Sequence, residues 1–196
     1  MKLRTTVFVL LAFGLAIASS AAVSQATSDT YRITTAAVAV MCPLTVGGSF
    51  EARTNALVGD LAYADATGAI NGVVQVDLGT LQTGISLRDR HMKEKYLEIN
   101  RSDTLTKATL DEIRMERAEG MSIPFHGKLT LHGEQHTING TADVQVQRRD
   151  GGVRVRACFP ISLSAFGIQP PRYLGVGVRD EVQVRVQFTA VSTRGV

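Results

Sequence analysis

Apolar and polar residues alternate with a period of two through three successive runs between Ile123 and Phe159. In the first run Ile123, Phe125, Leu129 and Leu131 alternate with polar positions and end at His132-Gly133-Glu134-Gln135. A glycine at the first central position of a two-residue loop suits a type II′ hairpin. That turn sets Leu131 opposite His136, Leu129 opposite Ile138, Phe125 opposite Ala142 and Ile123 opposite Val144. Asp150-Gly151, inside Arg149–Gly152, suits a type I′ turn and sets Val146 opposite Val155, Val144 opposite Ala157 and Ala142 opposite Phe159. Read independently, both turns place Ala142, Val144 and Val146 on one side. The expected product is a three-stranded meander with one apolar face, because a one-residue slip would turn every side chain over. Lys128, Thr130, Asp143, Gln145, Gln147, Arg154 and Arg156 fall on the other face.

The same alternation recurs along the chain. Strand-like runs occupy Tyr31–Met41, Phe50–Tyr63, Ile70–Leu78, Leu105–Glu116, Met121–Leu131, Gln135–Gln147 and Val153–Leu163. A last strand carries Val182, Val184, Val186 and Phe188 against Gln183, Arg185 and Gln187. Gly47-Gly48, Thr67-Gly68, Glu119-Gly120 and Asp150-Gly151 punctuate them. The connections are short, which favours antiparallel neighbours. One segment differs. Ser86-Leu87-Arg88-Asp89 has the spacing of a capping box, with Ser86 as the cap of a single helix within Leu87–Ile99. Its Leu87/His91 and Met92/Tyr96 pairs are four apart, so one face can lie on the sheet or over a barrel mouth.

About eight strands with one apolar face must cover it, and closing on itself is one solution. A barrel of that size is either filled by side chains or holds one small ligand. The chain has no Trp, four Tyr and seven Phe to act as filler. The apolar face is mostly Val, Ala, Ile and Leu, which tilts the expectation to a ligand-holding interior.

The ends change the picture more than the overall charge does. Lys2 and Arg4, the apolar run Val7–Ala18 and the small residues Ser20-Ala21-Ala22 describe a secretory signal over residues 1–22, with an uncleaved anchor as the other reading. Ser24-Gln25-Ala26 is a second potential cleavage point. The run is too short for a comfortable transmembrane helix and no second one follows, so no membrane span is expected in the mature chain. A linker over 23–30 and one domain over 31–192 remain, in a periplasmic or secreted protein. The leader holds two basic residues and no acid, so its removal lowers the net charge from +3 to +1. Arg148, Arg149, Arg154 and Arg156 cluster without interleaved aromatics, which argues against a nucleic-acid partner. Two cysteines in an exported chain suggest a Cys42–Cys158 disulfide. Alternation sets Cys158 on the polar face and Cys42 inward, which opposes the bond.

Metal and catalytic readings fail on geometry. His132 is expected outside and His136 inside, on opposite sides of a tight turn, and His126 sits roughly 20 Å along the strand from His132. His91 and Asp89 could pair as acid and base beside Arg88, but two residues apart on a helix they do not face each other. There is no Gly-x-Ser-x-Gly, and Gly175-Val176-Gly177 runs into a strand rather than the helix a phosphate loop needs. These residues describe a container or structural module, not an enzyme, and no cofactor is required.

Five elements in order resemble the YceI-like polyisoprenoid-binding family, from about Tyr31 to Val191. They are Val46-Gly47-Gly48-Ser49-Phe50, the stretch from Ser86 to Met92, the stretch from Gly127 to Gly133, Phe166-Gly167-Ile168, and Val178-Arg179-Asp180-Glu181-Val182. The chain departs from the family pattern at Met41-Cys42-Pro43, where a His is usual, and at Thr104–Thr109, which lacks the usual proline. The resemblance implies an all-β fold: an antiparallel eight-stranded lipocalin-like barrel with one short helix near the mouth. It also implies binding of a long isoprenoid, a polyprenyl phosphate or quinone tail, or a similar lipid. Combined with the register above, the expected lining is Val74, Val76, Phe125, Leu129, Ile138, Val144, Val146, Val155, Phe159, Val184 and Phe188. Arg88 and His91 are the candidates for meeting a head group. The competing function is a ligand-free barrel acting as an envelope stress-related or adhesion partner. The delivery partner and the oligomeric state, a homodimer included, are not legible.

Overall fold

A computed structural model describes residues 29–64, 67–147, 151–173 and 175–193. The expected signal at 1–22 lies outside them, as do Arg148, Arg149 and Asp150. The strands are β1 (Asp29–Pro43), β2 (Ser49–Thr54), β3 (Leu57–Ala64), β4 (Ala69–Asp77), β5 (Lys107–Met115), β6 (Gly120–Leu131), β7 (Glu134–Gln147) and β8 (Gly152–Ser162). The short pair β9 (Arg172–Tyr173) and β10 (Val176–Gly177) and the long β11 (Glu181–Ser192) complete the set. The sheet runs β11-β8-β7-β6-β5-β4-β3-β1, and β1 pairs back onto β11. That pairing closes an antiparallel barrel of eight strands with no long free edge, the usual answer to unpaired backbone. The strand β1 begins at Asp29, two residues inside the expected linker.

The expected strand Phe50–Tyr63 is split. Both β2 and β3 lie on the same edge of β1 in one continuous register, Val38 opposite Thr54 and Tyr31 opposite Leu61. The break at Asn55-Ala56 has a local cause. The Thr54 hydroxyl accepts the Ala56 N–H at 3.0 Å. The neighbouring Arg53 gives its backbone N–H and C=O to Gln82, at 2.8 and 2.9 Å.

Both hairpin registers differ from expectation, each by two residues. The first loop is His132-Gly133 with Leu131 opposite Glu134 and Gly127 opposite Ile138. Both loop residues have positive φ, 54° and 85°, which is the type I′ requirement, with glycine in the second place rather than the first. At the second hairpin Val144 faces Val155 and Ala142 faces Ala157. An even slip leaves every residue on its own face, so the apolar side survives the error. The β5–β6 pairing carries an irregularity between Asp111 and Arg114, where Glu112 has φ 46°. A bulge of that kind reverses the alternation, which is how both Leu110 and Ile113 face the interior.

The helix α1 covers Ser86–His91 and widens into a π-helical stretch, Met92–Tyr96. Its N-cap is Ile85 and makes no side-chain cap bond, so Ser86 is not the cap. Thr83 replaces it: its N–H and hydroxyl donate to the Asp89 carboxylate. This carboxylate is held below the usual Asp range, first by the Thr83 hydroxyl, against a smaller burial penalty, and then by the Thr83 N–H.

The cysteines are free thiols. Met41 pairs with Gln183 and Gln183 with Pro160, so Cys42 and Cys158 sit on strands separated by β11 and are offset along them. Two inter-strand steps of about 4.8 Å already exceed the ~7 Å limit between bridged Cα atoms. Cys158 is also exposed whereas Cys42 packs against the core.

Candidate functional site: a lumen closed at one end

One end of the barrel is plugged. The segment 78–105, with the helix, and the segments 163–173 and 175–180 fold over it. Phe166, Ile168, Val178 and Val182 are all under 8 % exposed there. Polar ties hold the plug: Nδ1 of His132 donates to the Phe166 carbonyl at 3.1 Å, and its Nε2 lies 3.7 Å from the Glu98 carboxylate. Asp180 accepts from the Ser162 and Ser164 hydroxyls and the Ser164 N–H, and the Ser162 hydroxyl leads in lowering its pKa.

Above the plug lies an elongated cavity of about 270 Å³. Its deep wall is Leu78, Leu81, Leu131 and Ile161, all buried. The lining then follows the strands to the other end, where Tyr31, Tyr63, Ile70, Met115, Ala118 and Val153 are half-buried and Val146 is 37 % exposed. Among the described residues the lumen opens at the end away from the helix. Along β1 it extends from Tyr31 to Val40. That is roughly 30 Å of strand at about 3.3 Å per residue, or roughly 23 Å of depth at a strand tilt of about 40°. A small volume over that depth makes a narrow bore. Carbon lines it almost throughout, with the Tyr31 and Tyr63 side chains near the opening carrying the lining's phenol hydroxyls.

Ten of the eleven residues expected in the lining stand there: Val74, Val76, Phe125, Leu129, Val144, Val146, Val155, Phe159, Val184 and Phe188. Ile138 does not. It is 5 % exposed and packed into the core, and the two-residue register shift sets it opposite Gly127 instead of Leu129. Phe125 and Phe159 meet edge to face at 6.1 Å. Gly140 makes that contact feasible: a Cβ there would lie 2.7 Å from the Phe125 ring and 2.6 Å from the Cys158 carbonyl.

Arg88 and His91, the head-group candidates, stand at the plugged end and outside the lining. Arg88 lies 4.1 Å over the Phe50 ring and donates to the Thr83 hydroxyl and carbonyl. It fastens helix to β2. His91 is exposed. His136, expected to face inward, is exposed but its ring abuts Phe166 at 5.0 Å, while His132, expected outside, is folded into the plug. Burial pushes the Cys42 thiol up to about 11, opposed by the nearby Arg88 charge. Among the described residues no three His, Cys, Asp or Glu side chains converge as a metal site would need.

Sequence reasoning missed Tyr31, Val40, Leu57, Leu61, Tyr63, Leu110, Ile113 and Met115 as lining. The signal was present in β3, where Leu57, Leu61 and Tyr63 alternate. In β5 the bulge at Glu112 broke the period and hid it.

A model of the YceI-like domain matches residues 7–190. No curated protein matches the sequence. The fold is similar to that of BcnA from Burkholderia cenocepacia, at 18 % identity, covering 80 % of this chain and 96 % of that one with a TM-score of 0.65. It is also similar to a polyisoprenoid binding domain from Saccharophagus degradans implicated in plant cell wall breakdown. That match has 13 % identity, 83 % and 98 % coverage, and a TM-score of 0.59.

Proposed function

The chain belongs to the YceI-like family, and from that premise we propose that it holds a long isoprenoid, a polyprenyl phosphate or quinone tail, or a similar lipid in its lumen. It does so as a binding protein of the periplasm or exterior, not as an enzyme. The carrying observation is the carbon-lined bore of about 270 Å³ that is plugged at one end and, among the described residues, open at the other. A relative of the same fold is described as polyisoprenoid binding, which supports the reading. The physics also suits it, because each buried methylene contributes about 0.8 kcal/mol and a tail therefore needs no polar partner to bind. The narrow bore favours one extended chain over a compact, bulky ligand.

Organic extraction of the purified protein, followed by mass spectrometry, is the direct test. A stoichiometric isoprenoid or related lipid is expected. Val144, buried and facing the lumen, supplies the control: Val144→Arg introduces a charge with no partner and should abolish lipid retention. A folded Val144→Arg protein with unchanged lipid content refutes the lumen as the site. An extract with no lipid from protein prepared without detergent favours the ligand-free partner role.

A further inference from the structure

We propose that the lumen is a length gauge, which takes a prenyl tail end first and encloses up to about five isoprene units of it. Further units and the head group stay outside. This rests on the lipid-binding reading above and sets the length of tail that the same site takes.

The direction of entry follows from the lining. Between floor and rim it is carbon, with the Met115 thioether and the Tyr31 and Tyr63 phenols at the end left open among the described residues. A phosphate or quinone ring carried past the tyrosines would lose its water and meet no polar side chain of the lining, a costly burial. The hydrocarbon end therefore leads.

The depth follows from the floor. Leu78, Leu81, Leu131 and Ile161 close the bore and are no more than 8 % exposed. Behind them Phe166, Ile168, Val178 and Val182 are buried to 7 % exposure or less, so a tail that reaches the floor stops there. Four chain bonds of about 1.5 Å in an extended zigzag advance each isoprene unit by roughly 5 Å. Along a bore of roughly 23 Å, about five units fit. A volume of about 270 Å³ drawn out over that depth admits one file of carbons. A tail cannot double back in it, and its length is read along the axis.

One step of the wall allows the gauge to be shortened. Ala142 and Ala157 pair across β7 and β8 and both line the bore. They stand four residues in from the Val146–Val153 pair at the open end, which is roughly 10 Å of depth, or two units. Ala157 is half-buried, and a longer side chain there projects into the bore. Ala157→Phe sets a second floor at that level.

The test is a ladder of prenyl phosphates from two to nine units, each competing with a fluorescently labelled farnesyl alcohol for the mature protein in detergent-free buffer. Affinity should rise about tenfold per unit up to about five units and then level off, because units beyond the mouth stay in water as in the free ligand. In Ala157→Phe the rise should end at about two units. Leu81→Ala lowers the floor instead. It should tighten the six-unit ligand about threefold, for the half unit it admits, and leave the three-unit ligand, which does not reach the floor, unchanged. A parent affinity that levels off before four units or still climbs past six overturns the gauge, as does a limit that neither folded variant moves. Lipid binding survives each of those results. Failure of the parent chain to bind the labelled alcohol and every phosphate overturns the lipid-binding reading instead, and the gauge with it.

Discussion

The two ends of this barrel are made of the same kinds of residue and behave as opposites. At the plugged end Phe166, Ile168 and Val182 are almost fully enclosed, and carbonyls, hydroxyls and carboxylates tie the covering segments to one another. At the open end Tyr31, Ile70, Met115 and Val153 face a space that nothing among the described residues fills. Packing density, not composition, separates a stopper from a mouth. The same apolar face stabilises the fold where it is covered and is left available to a ligand where it is not.

The sharpest way to break this contrast is to truncate one residue at each end. Phe166→Ala removes a ring that is 2 % exposed and should cost roughly 3–5 kcal/mol in urea unfolding. Val153→Ala, half-buried in the lining, should cost roughly 0.5–1 kcal/mol, since it removes two partly solvated methyl groups from a wall with no packed neighbour opposite. Equal losses would mean that the two ends are equally packed. Between these extremes lies the middle of the bore. Gly140→Ala would drive a methyl into the Phe125 ring and the Cys158 carbonyl and should cost about 1–3 kcal/mol as overpacking. It should also weaken binding of a prenyl probe, because Phe125 can only yield into the lumen; an unchanged melt would show the strand relaxing instead.

The helix at the plugged end is held by a smaller force. Thr83→Ala deletes the hydroxyl that donates to Asp89 and should cost about 1 kcal/mol, as loss of a helix cap does. Acid should act on the same point. The Asp89 carboxyl is lowered on folding, chiefly by that hydroxyl, so its contribution is present above the unfolded Asp value of about 3.9. It is lost as pH falls through the lower folded value. Hydrogen-exchange protection factors across 86–96, taken against the intrinsic rate at each pH, should therefore fall below about pH 4 in the parent chain, and Asp89→Asn should flatten that dependence. An acid response unchanged by Asp89→Asn would assign it elsewhere.

Much of the barrel was legible because period-two alternation is robust to errors of an even number of residues. The registers of the β6–β7 and β7–β8 hairpins were each read two residues out, yet Ala142, Val144 and Val146 kept their face and ten lining residues were reached. What failed was information carried by depth along the strand rather than by face. Arg88 and His91 belong to a helix whose end of the barrel no local pattern reveals, and Ile138, of the correct parity, packs into the core opposite Gly127 and outside the lining. Bulges also erase the signal: past Glu112 the phase of β5 inverts, so Ile113 and Met115 were invisible as lining. The cysteines show the same logic in reverse, since their opposite parity argued against a bond, and their separation by β11 supplies the distance that excludes it.

The smallest effect tests how a helix start is read. Ser86 followed three residues later by Asp89 matches a capping box in sequence, and a side-chain cap there would be worth about 1 kcal/mol. In the fold Ile85 is the extended residue before the first turn, with φ −125° and ψ 110°, and Ser86 is already helical. The carboxylate that should reciprocate instead receives the Thr83 N–H and hydroxyl from outside the helix, at positions six residues apart. Ser86→Ala should accordingly change stability by no more than roughly 0.3 kcal/mol, with the better helix propensity of alanine offsetting what little the exposed hydroxyl contributes. Thermal melts of Ser86→Ala and Thr83→Ala measured side by side decide it. If Ser86→Ala proves the more damaging, the cap lies where the sequence motif put it and the plugged end is fastened differently from this description.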